Sequence, residues 1–409
     1  MATTNGLKFI KTIRDFELAE KVVFLRLDLN VPLEKGKITD ETRLRESLPT
    51  IKYAIDRGAK VVLASHLGRP KSAGDRNFSL EPVANSLAEH LGMEVLLVDE
   101  PGSDAPKALL AGMKKNQIIL LENLRYDDGE TKNSDELAAK WSNYSQVYIN
   151  DAFGASHRAH ASIDSLPRLM KEKGIGLLIE KEITILDKLM ENPARPYLAI
   201  MGGAKVSDKI DVIEKLIDVV DTLIIGGAMA YTFLKARGVP VGKSLVEQDK
   251  VNYAKELMAR MEARHKSLLL PQDHLVTKEI ASAQGDITTG PGIDEGFMGV
   301  DIGPKTLGAY QAAIRSAKTI FWNGPMGIFE TTAYAKGTFG VAKAMAESTA
   351  PMRIVGGGDS AAAAAASGYA DKMTHISTGG GASLEYLQGD KLPGLEVLRN
   401  KREGVEAKL

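Results

Sequence analysis

The chain has 409 residues, too many for one ordinary core, so two domains are expected. Its 44% hydrophobic and 26% charged content is that of a globular protein, and a formal charge of −1 excludes a global field aimed at nucleic acid or an anionic membrane. There is no cysteine, which removes disulfides, thiolate metal sites and cysteine nucleophiles together. Met1-Ala-Thr-Thr-Asn-Gly lacks the pattern of a signal peptide, and no apolar stretch approaches the length of a membrane span. A cytoplasmic location is the expectation.

Apolar runs at 22–29, 60–65, 94–98, 117–121 and 146–150 read as buried strands, with amphipathic helices at 42–57, 80–90 and 134–144 between them. Near-continuous apolar strands separated by helices predict a parallel sheet covered on both faces. A long helix is predicted over 177–191, closed by Asn192-Pro193 and Pro196. The alternation then resumes, with strands at 197–201, 222–225, 267–270, 319–322, 353–355 and 375–377. Helices fall at 207–219, 249–263, 305–317 and 335–347. The architecture predicted is α/β, with two doubly wound parallel-sheet domains joined near 175–196. The tail has a Pro393-Gly394 break and could cap either domain.

Open parallel sheets bind ligands at the carboxyl ends of their strands, and there the two halves differ. The second half carries Gly202-Gly203, Gly226-Gly227, Gly356-Gly357-Gly358 and Gly379-Gly380-Gly381. Four glycine clusters in one sheet point to nucleotide phosphates, because each lets backbone approach where a Cβ would block it. Lys205 and Lys209, at i and i+4, would add two positive charges at the start of a helix whose free N–H groups face an anion. Gly356-Gly-Gly-Asp-Ser-Ala361 satisfies the dinucleotide fingerprint in form, but the acidic residue expected roughly 20 positions on is missing. Gly238-Val-Pro-Val-Gly-Lys-Ser244 is one residue short of a P-loop and contains proline. Asp359 has two readings that position alone leaves open: an N-cap for the alanine-rich helix, or a ligand to Mg²⁺ on a nucleotide. Glu330 reads as a solvated loop carboxylate or an acceptor for a ribose hydroxyl.

The first half places Asp28, Asn30, His66, Arg69, Arg125, His157 and Arg158 after its strands, with Arg43 opening a helix. Arginine forks match carboxylate and phosphate oxygens bidentately. Such a cluster in a near-neutral chain suits a small ligand bearing both groups, with Asp28 and Asn30 available to a hydroxyl. His66, His157 and His160 invite a general-base or metal reading, but no third ligand stands at metal spacing, which favours anion-binding imidazoles.

These residues carry a resemblance. Arg26-Leu-Asp-Leu-Asn-Val-Pro32, Ser65-His-Leu-Gly-Arg-Pro70, Glu122-Asn-Leu-Arg125 and Asn150-Asp-Ala-Phe-Gly-Ala-Ser-His-Arg-Ala-His160 resemble the phosphoglycerate kinases. So do Met201-Gly-Gly-Ala-Lys-Val-Ser-Asp-Lys209, Phe321-Trp-Asn-Gly-Pro-Met-Gly327, Gly356-Gly-Gly-Asp-Ser360 and Thr378-Gly-Gly-Gly-Ala-Ser383. The resemblance implies reversible phosphoryl transfer from 1,3-bisphosphoglycerate to ADP, giving 3-phosphoglycerate and ATP, by a cytoplasmic monomer that binds neither nucleic acid nor membrane. It implies two Rossmann-like domains: residues 1–176 for phosphoglycerate, and 177–392 for Mg-nucleotide, with 177–192 as an interdomain helix and the tail 393–409 returning to the first. Substrate would contact Asp28, Leu29, Asn30, Arg43, His66, Leu67, Gly68, Arg69, Arg125 and Arg158. Nucleotide would contact Lys205, Lys209, Gly226, Gly227, Gly299, Asn323, Glu330, Gly357, Gly358, Asp359 and Ser360, with Asp359 on Mg²⁺. Arg43, Lys205, Gly380 and Gly381 would stabilise the transferring group. Gln272 and His274 look unusual beside the family and carry no assigned role.

Overall fold

The computed structural model describes residues 5–400 apart from 73 and 115. The chain divides into two compact units, one ending at Asp187 and regaining the chain at Lys391, the other running Lys188–Asp390.

The first unit contains β1 (Val22–Arg26), a two-stranded ribbon of β2 (Leu33–Glu34) and β3 (Lys37–Ile38), then β4 (Lys60–Ala64), β5 (Glu94–Val98), β6 (Gln117–Leu121), β7 (Val147–Asn150) and β8 (Glu172–Ile175). Six of these form a parallel sheet in the order β5-β6-β4-β1-β7-β8. Side chains alternate across it. Val23, Leu25, Val61, Leu63 and Ile149 face Leu44 and Ile51 of the helix Thr42–Asp56 and Val83 and Leu87 of the helix Glu81–Leu91. Phe24 points the other way, its ring 5.6 Å from Trp141 and 6.1 Å from Tyr148. Both faces are buried, which is why β1 reads as a continuous apolar run up to Arg26.

The run 22–29 expected as strand stops at Arg26. Leu29 N–H instead donates to Ser65 Oγ at 2.8 Å, so 27–32 becomes a rim loop held by a neighbouring loop rather than a ladder. The edge strand β8 escaped the sequence reading, because Glu-Lys-Gly-Ile has no apolar run. Beyond it, Asp151 Oδ1 accepts from Leu178 and Ile179 N–H at 2.9 and 3.0 Å, and Thr50 Oγ1 from Leu177 N–H at 3.0 Å. These bonds cap the long helix Leu177–Glu191. The tail returns to this unit: Gly394 N–H donates to Ser156 O at 2.9 Å, Asn150 Nδ2 to Gly394 O at 3.1 Å, and Asn400 N–H to Phe9 O at 2.8 Å. Residues 401–409 of the tail lie outside the described residues.

The second unit contains β9 (Tyr197–Met201), β10 (Thr222–Ile225), β11 (Ser267–Leu269), β12 (His274–Thr277), β13 (Asp286–Ile287), β14 (Met298–Ile302), β15 (Thr319–Asn323), β16 (Met352–Val355) and β17 (His375–Ile376). Its parallel sheet runs β11-β10-β9-β15-β16-β17 over a core that includes Ile200, Ile224, Ile320, Trp322, Tyr310 and Val341. Beside it stands an antiparallel sheet, β13-β12-β14, that the sequence reading missed. Its strands are short, β13 is exposed, and a register shift lies between Leu275 and Val276. No described helix is long and apolar enough to cross a membrane.

Candidate functional site

In the first unit the loops after β6, β4, β1 and β7 leave four strands that are adjacent in the sheet. The chain goes from β1 to one side and later returns on the other, the kind of reversal where open α/β sheets place ligands. Asp28 is buried; its Oδ2 accepts from Arg43 Nη1 at 2.7 Å and its Oδ1 from Asn30 N–H at 3.3 Å. Asn30 Oδ1 accepts from Gly68 N–H at 2.8 Å. Asn123 clamps Leu67 from both sides, accepting its N–H at 3.1 Å and donating Nδ2 to its carbonyl at 2.7 Å. Arg125 Nη1 donates to Gly68 O. Asp28, Leu29, Asn30, His66, Leu67, Gly68 and Arg125 are thereby joined, with Arg69 exposed beside them.

The charges converge as well. Burial, then Arg158, Arg26 and Arg69, lower the Arg125 pKa to about 10. Burial first, then Arg26, Arg125, Arg43 and Arg158, hold His66 well below its usual value. His160 falls to about 4 for the same reasons, burial leading and Arg26, Arg125 and Arg158 following. The imidazoles expected to bind anions are therefore neutral at pH 7. The arginines carry the positive charge, and His157 Nε2 accepts from Arg158 Nε at 3.1 Å. Arg26 fixes the tautomer of another ring. Its Nη2 lies 3.2 Å from His66 Nδ1, and a guanidinium only donates, so His66 bears its proton on Nε2. Arg26 is itself buried, with Nε on Ser162 Oγ at 2.7 Å and Nη2 3.7 Å from the buried Glu130. In the sequence, Arg26 opens a motif but has no role assigned to it. Its sign was an arginine ending an otherwise apolar strand.

In the second unit, glycine turns follow β9, β10, β15, β16 and β17. A Cβ on Gly202 would lie 2.2 Å from Pro325 O, and one on Gly227 2.5 Å from Gly203 N. These glycines let turn pack on turn, whereas the sequence reading gave that room to a ligand. Gly226 meets Met326 in the same way, a Cβ there lying 2.3 Å from its sulfur. Gly358 and Gly380 are open, with nothing within 4 Å of a Cβ.

The helix after β16 is Gly358–Ala366. Gly357 stands at its N-cap with φ +90, and no side chain caps it. Asp359 is thus not a cap; it is an exposed carboxylate in the first turn. Ser360 Oγ accepts from Gly324 N–H at 2.6 Å, and Asn323 Nδ2 donates to Gly356 O at 2.7 Å. Lys209 Nζ donates to Asn323 Oδ1; burial lowers its pKa to about 8, with Asp359 opposing. The helix expected from residue 207 begins at Ile210, after a 3-10 turn Ser207–Lys209. The first N–H groups there are not free, because Val206 and Ser207 both donate to Glu247. Lys205, before that turn, is exposed.

A cavity of about 540 Å³ opens among these turns, lined by Gly227, Gly299, Glu330 and Asp359 and also by Tyr231, Ser244 and Met326, which the sequence reading missed. Lys205, Asn323 and Ser360 belong to turns that line it, and Lys209 reaches Asn323, whereas Gly380 and Gly381 stand in the turn after β17, which contributes no residue to its lining. Ser244 Oγ accepts from Gly299 N–H at 3.0 Å. Tyr231 is buried, with its ring 5.4 Å from His274, so the unusual histidine supports the cavity wall. The near P-loop at 238–244 is a strap. Its Lys243 N–H donates to Phe297 O at 2.7 Å, and Ile293 N–H donates to Pro240 O at 2.9 Å.

A profile of phosphoglycerate kinase matches residues 13–390. The chain is 69% identical to the phosphoglycerate kinase of Bdellovibrio bacteriovorus across 97% of its own length and 99% of that protein. It is 53% identical to that of Clostridium perfringens across 96% and 99%. Among solved structures, the phosphoglycerate kinase of Coxiella burnetii aligns with a TM-score of 0.84 at 38% identity, covering 95% of this chain and 98% of that one. The phosphoglycerate kinase of Pyrococcus horikoshii aligns with a TM-score of 0.82 at 32% identity, covering 95% and 98%.

Proposed function

The chain belongs to the phosphoglycerate kinase family, and from that premise we propose how its residues divide the work of the reaction. It is a glycolytic phosphotransferase with a carboxyl group as acceptor, acting on small-molecule substrates and using ATP and ADP. The observation that carries the division is chemical: one rim is built of arginines and neutral imidazoles, the other of glycine turns, helix starts and lysines. We assign the phosphoglycerate to Asp28, Leu29, Asn30, Arg43, His66, Leu67, Gly68, Arg69, Arg125 and Arg158. The nucleotide goes to Lys205, Lys209, Gly226, Gly227, Gly299, Asn323, Glu330, Gly357, Gly358, Asp359 and Ser360. The first unit is then the phosphoglycerate domain and the second the nucleotide domain.

Phosphoryl transfer asks a protein for positioning and charge stabilisation. In the ATP-forming direction the nucleophile is an already anionic phosphate oxygen. In reverse it is a carboxylate, whose pKa of roughly 3.5 leaves it ionised at neutral pH. Neither direction needs a general base, in keeping with imidazoles whose ring nitrogens His66 Nδ1 and His157 Nε2 are already taken by arginines. Arg43 and Lys205 face the charge on the transferring group. The N–H groups at Gly380 and Gly381, which open the helix Gly381–Gln388, face the same charge.

Asp359 suits Mg²⁺. Among the described residues no group of three His, Cys, Asp or Glu is built to hold an ion alone. One exposed carboxylate at the cavity is what Mg²⁺ carried on phosphates requires. When bound, Mg²⁺ would neutralise phosphate charge.

Each ligand's groups belong to a separate unit, while reacting atoms must come within about 3–3.5 Å. Transfer therefore requires the units to close, with Leu177–Glu191 and the chain near residue 390 as hinges. We assign this glycolytic enzyme to the cytoplasm, and we read it as a monomer because one chain supplies the groups for both ligands. A coupled assay with 3-phosphoglycerate and MgATP tests the reading. Turnover must depend on both substrates, and Lys205→Ala is expected to lower kcat by about 10²–10³ while phosphoglycerate binding persists. A near-normal kcat would remove Lys205 from the mechanism.

A further inference from the structure

The strap at 238–244 and the residues that continue it to Lys250 have no part in the division above, yet they touch three walls of the nucleotide cavity. Ser244 Oγ holds Gly299 N–H at 3.0 Å, Lys243 N–H holds Phe297 O at 2.7 Å, and Glu247 N–H donates to the buried Thr232 Oγ1 at 3.1 Å. Thr232 lies in the helix Met229–Ala236 that follows the Gly226-Gly227 turn. From that anchor the Glu247 side chain reaches the segment just after Lys205. Its Oε2 accepts from Val206 N–H and, at 3.2 Å, from Ser207 N–H, while its Oε1 accepts from Ser207 Oγ.

A carboxylate beside a phosphate site is unfavourable on charge alone, because it repels the ligand. Here both of its oxygens are taken by the turn, in charge-assisted bonds that are stronger than neutral ones. They occupy the first N–H groups after Lys205, donors that would otherwise compete for phosphate and draw the turn with them. Lys205 is a long, flexible cation on an exposed turn, and where its ammonium goes depends on where residues 206 and 207 are pinned.

We infer that Glu247 is a positioning residue for phosphoryl transfer, fixing the Val206–Ser207 turn so that Lys205 meets the transferring group. The inference rests on the role proposed for Lys205. It makes the strap a brace between the glycine turn after β9 and the helix after β10, with the catalytic cation held between them.

The test is a double-mutant cycle in the full chain, with kcat and both KM values measured for Glu247→Ala, Lys205→Ala and the pair. A misplacement of about 1 Å can cost on the order of 100-fold, so Glu247→Ala is expected to lower kcat by roughly 10- to 100-fold. The phosphoglycerate KM should be little changed. Glu247→Gln, which keeps one acceptor oxygen, should recover the greater part. In the Lys205→Ala background the same substitution should change kcat by no more than about twofold, because the residue it positions is gone. Equal losses in both backgrounds, or an unchanged kcat in Glu247→Ala, overturn the inference and leave the Lys205 assignment standing. A near-normal Lys205→Ala overturns both. If Glu247→Ala fails to fold, Ser207→Ala, which removes the hydroxyl bond to Oε1, carries the same cycle: a smaller loss of kcat is expected with Lys205 present and none in the Lys205→Ala background, and equal effects in both overturn the inference.

Discussion

At the scale of the residue, His66 is an imidazole held neutral within the rim we assign to phosphoglycerate. Arg26 donates to Nδ1, so Nε2–H is the donor the ring can offer, and burial first, then the nearby arginines, keep it neutral. Nitrogen-15 spectra of the ring should show a protonated Nε2 and a bare Nδ1, unchanged from about pH 6 to 8. A titrating ring, or a proton on Nδ1, would contradict the geometry. The glycines separate in a similar way. Gly202→Ala must displace the Pro325 carbonyl, 2.2 Å from the new methyl, and is expected to destabilise the second unit by about 1–3 kcal/mol in urea unfolding. Gly358→Ala meets nothing within 4 Å and should fold as well as the parent. Comparable losses at the two positions would contradict this reading.

At the scale of the element, the cap of Leu177–Glu191 is a buried acid. Burial pushes the Asp151 pKa up to about 7, against lowering bonds from Thr50, Ile179 and Leu178, and among the described residues its Oδ2 has no hydrogen-bond partner. The sign follows from linkage. The folded state holds a proton that the unfolded chain releases near pH 3.9, so this residue's contribution is greatest at low pH and is lost as pH rises from about 4 to 7. Asp151→Asn keeps an acceptor for the helix N–H groups and cannot ionise. Its stability relative to the parent, measured in urea, should therefore rise across that window and level off above it. A difference that does not vary with pH would show that Asp151 does not titrate there.

Elements of this kind also set how far the sequence could be read. β9 and β10 were legible to the residue, because both faces are buried and the apolar run ends where the strand does. β8 was not, because an edge strand containing Glu, Lys and Gly carries no apolar signal. The rims were legible because strand ends place Asp28, His66, Arg125 and the glycine turns at fixed points. Ser244 and Glu247 were not, because what they do is set by contacts 55 and 41 residues away in the chain.

At the scale of the whole molecule, the two sets of binding groups make a prediction about shape. Scattering should show no compaction with either ligand alone and a smaller radius of gyration when phosphoglycerate and Mg-nucleotide are present together. An unchanged radius would count against closure by a hinge.

The return of the tail to the first unit also bears on the order of events at synthesis. Gly394 bonds to Ser156 and Asn150, and Asn400 to Phe9, so the first unit lacks these contacts during synthesis until residues 394–400 emerge. The second half needs no such wait. Its residues are contiguous, and they close around a buried tryptophan of their own, Trp322, as Trp141 is buried in the first. With only two tryptophans in the chain, a Trp141→Phe or Trp322→Phe protein reports on a single half by fluorescence. Nascent chains stalled short of residue 391 should show a native Trp322 signal beside an incomplete or less protected Trp141. The half made first is then the one finished last.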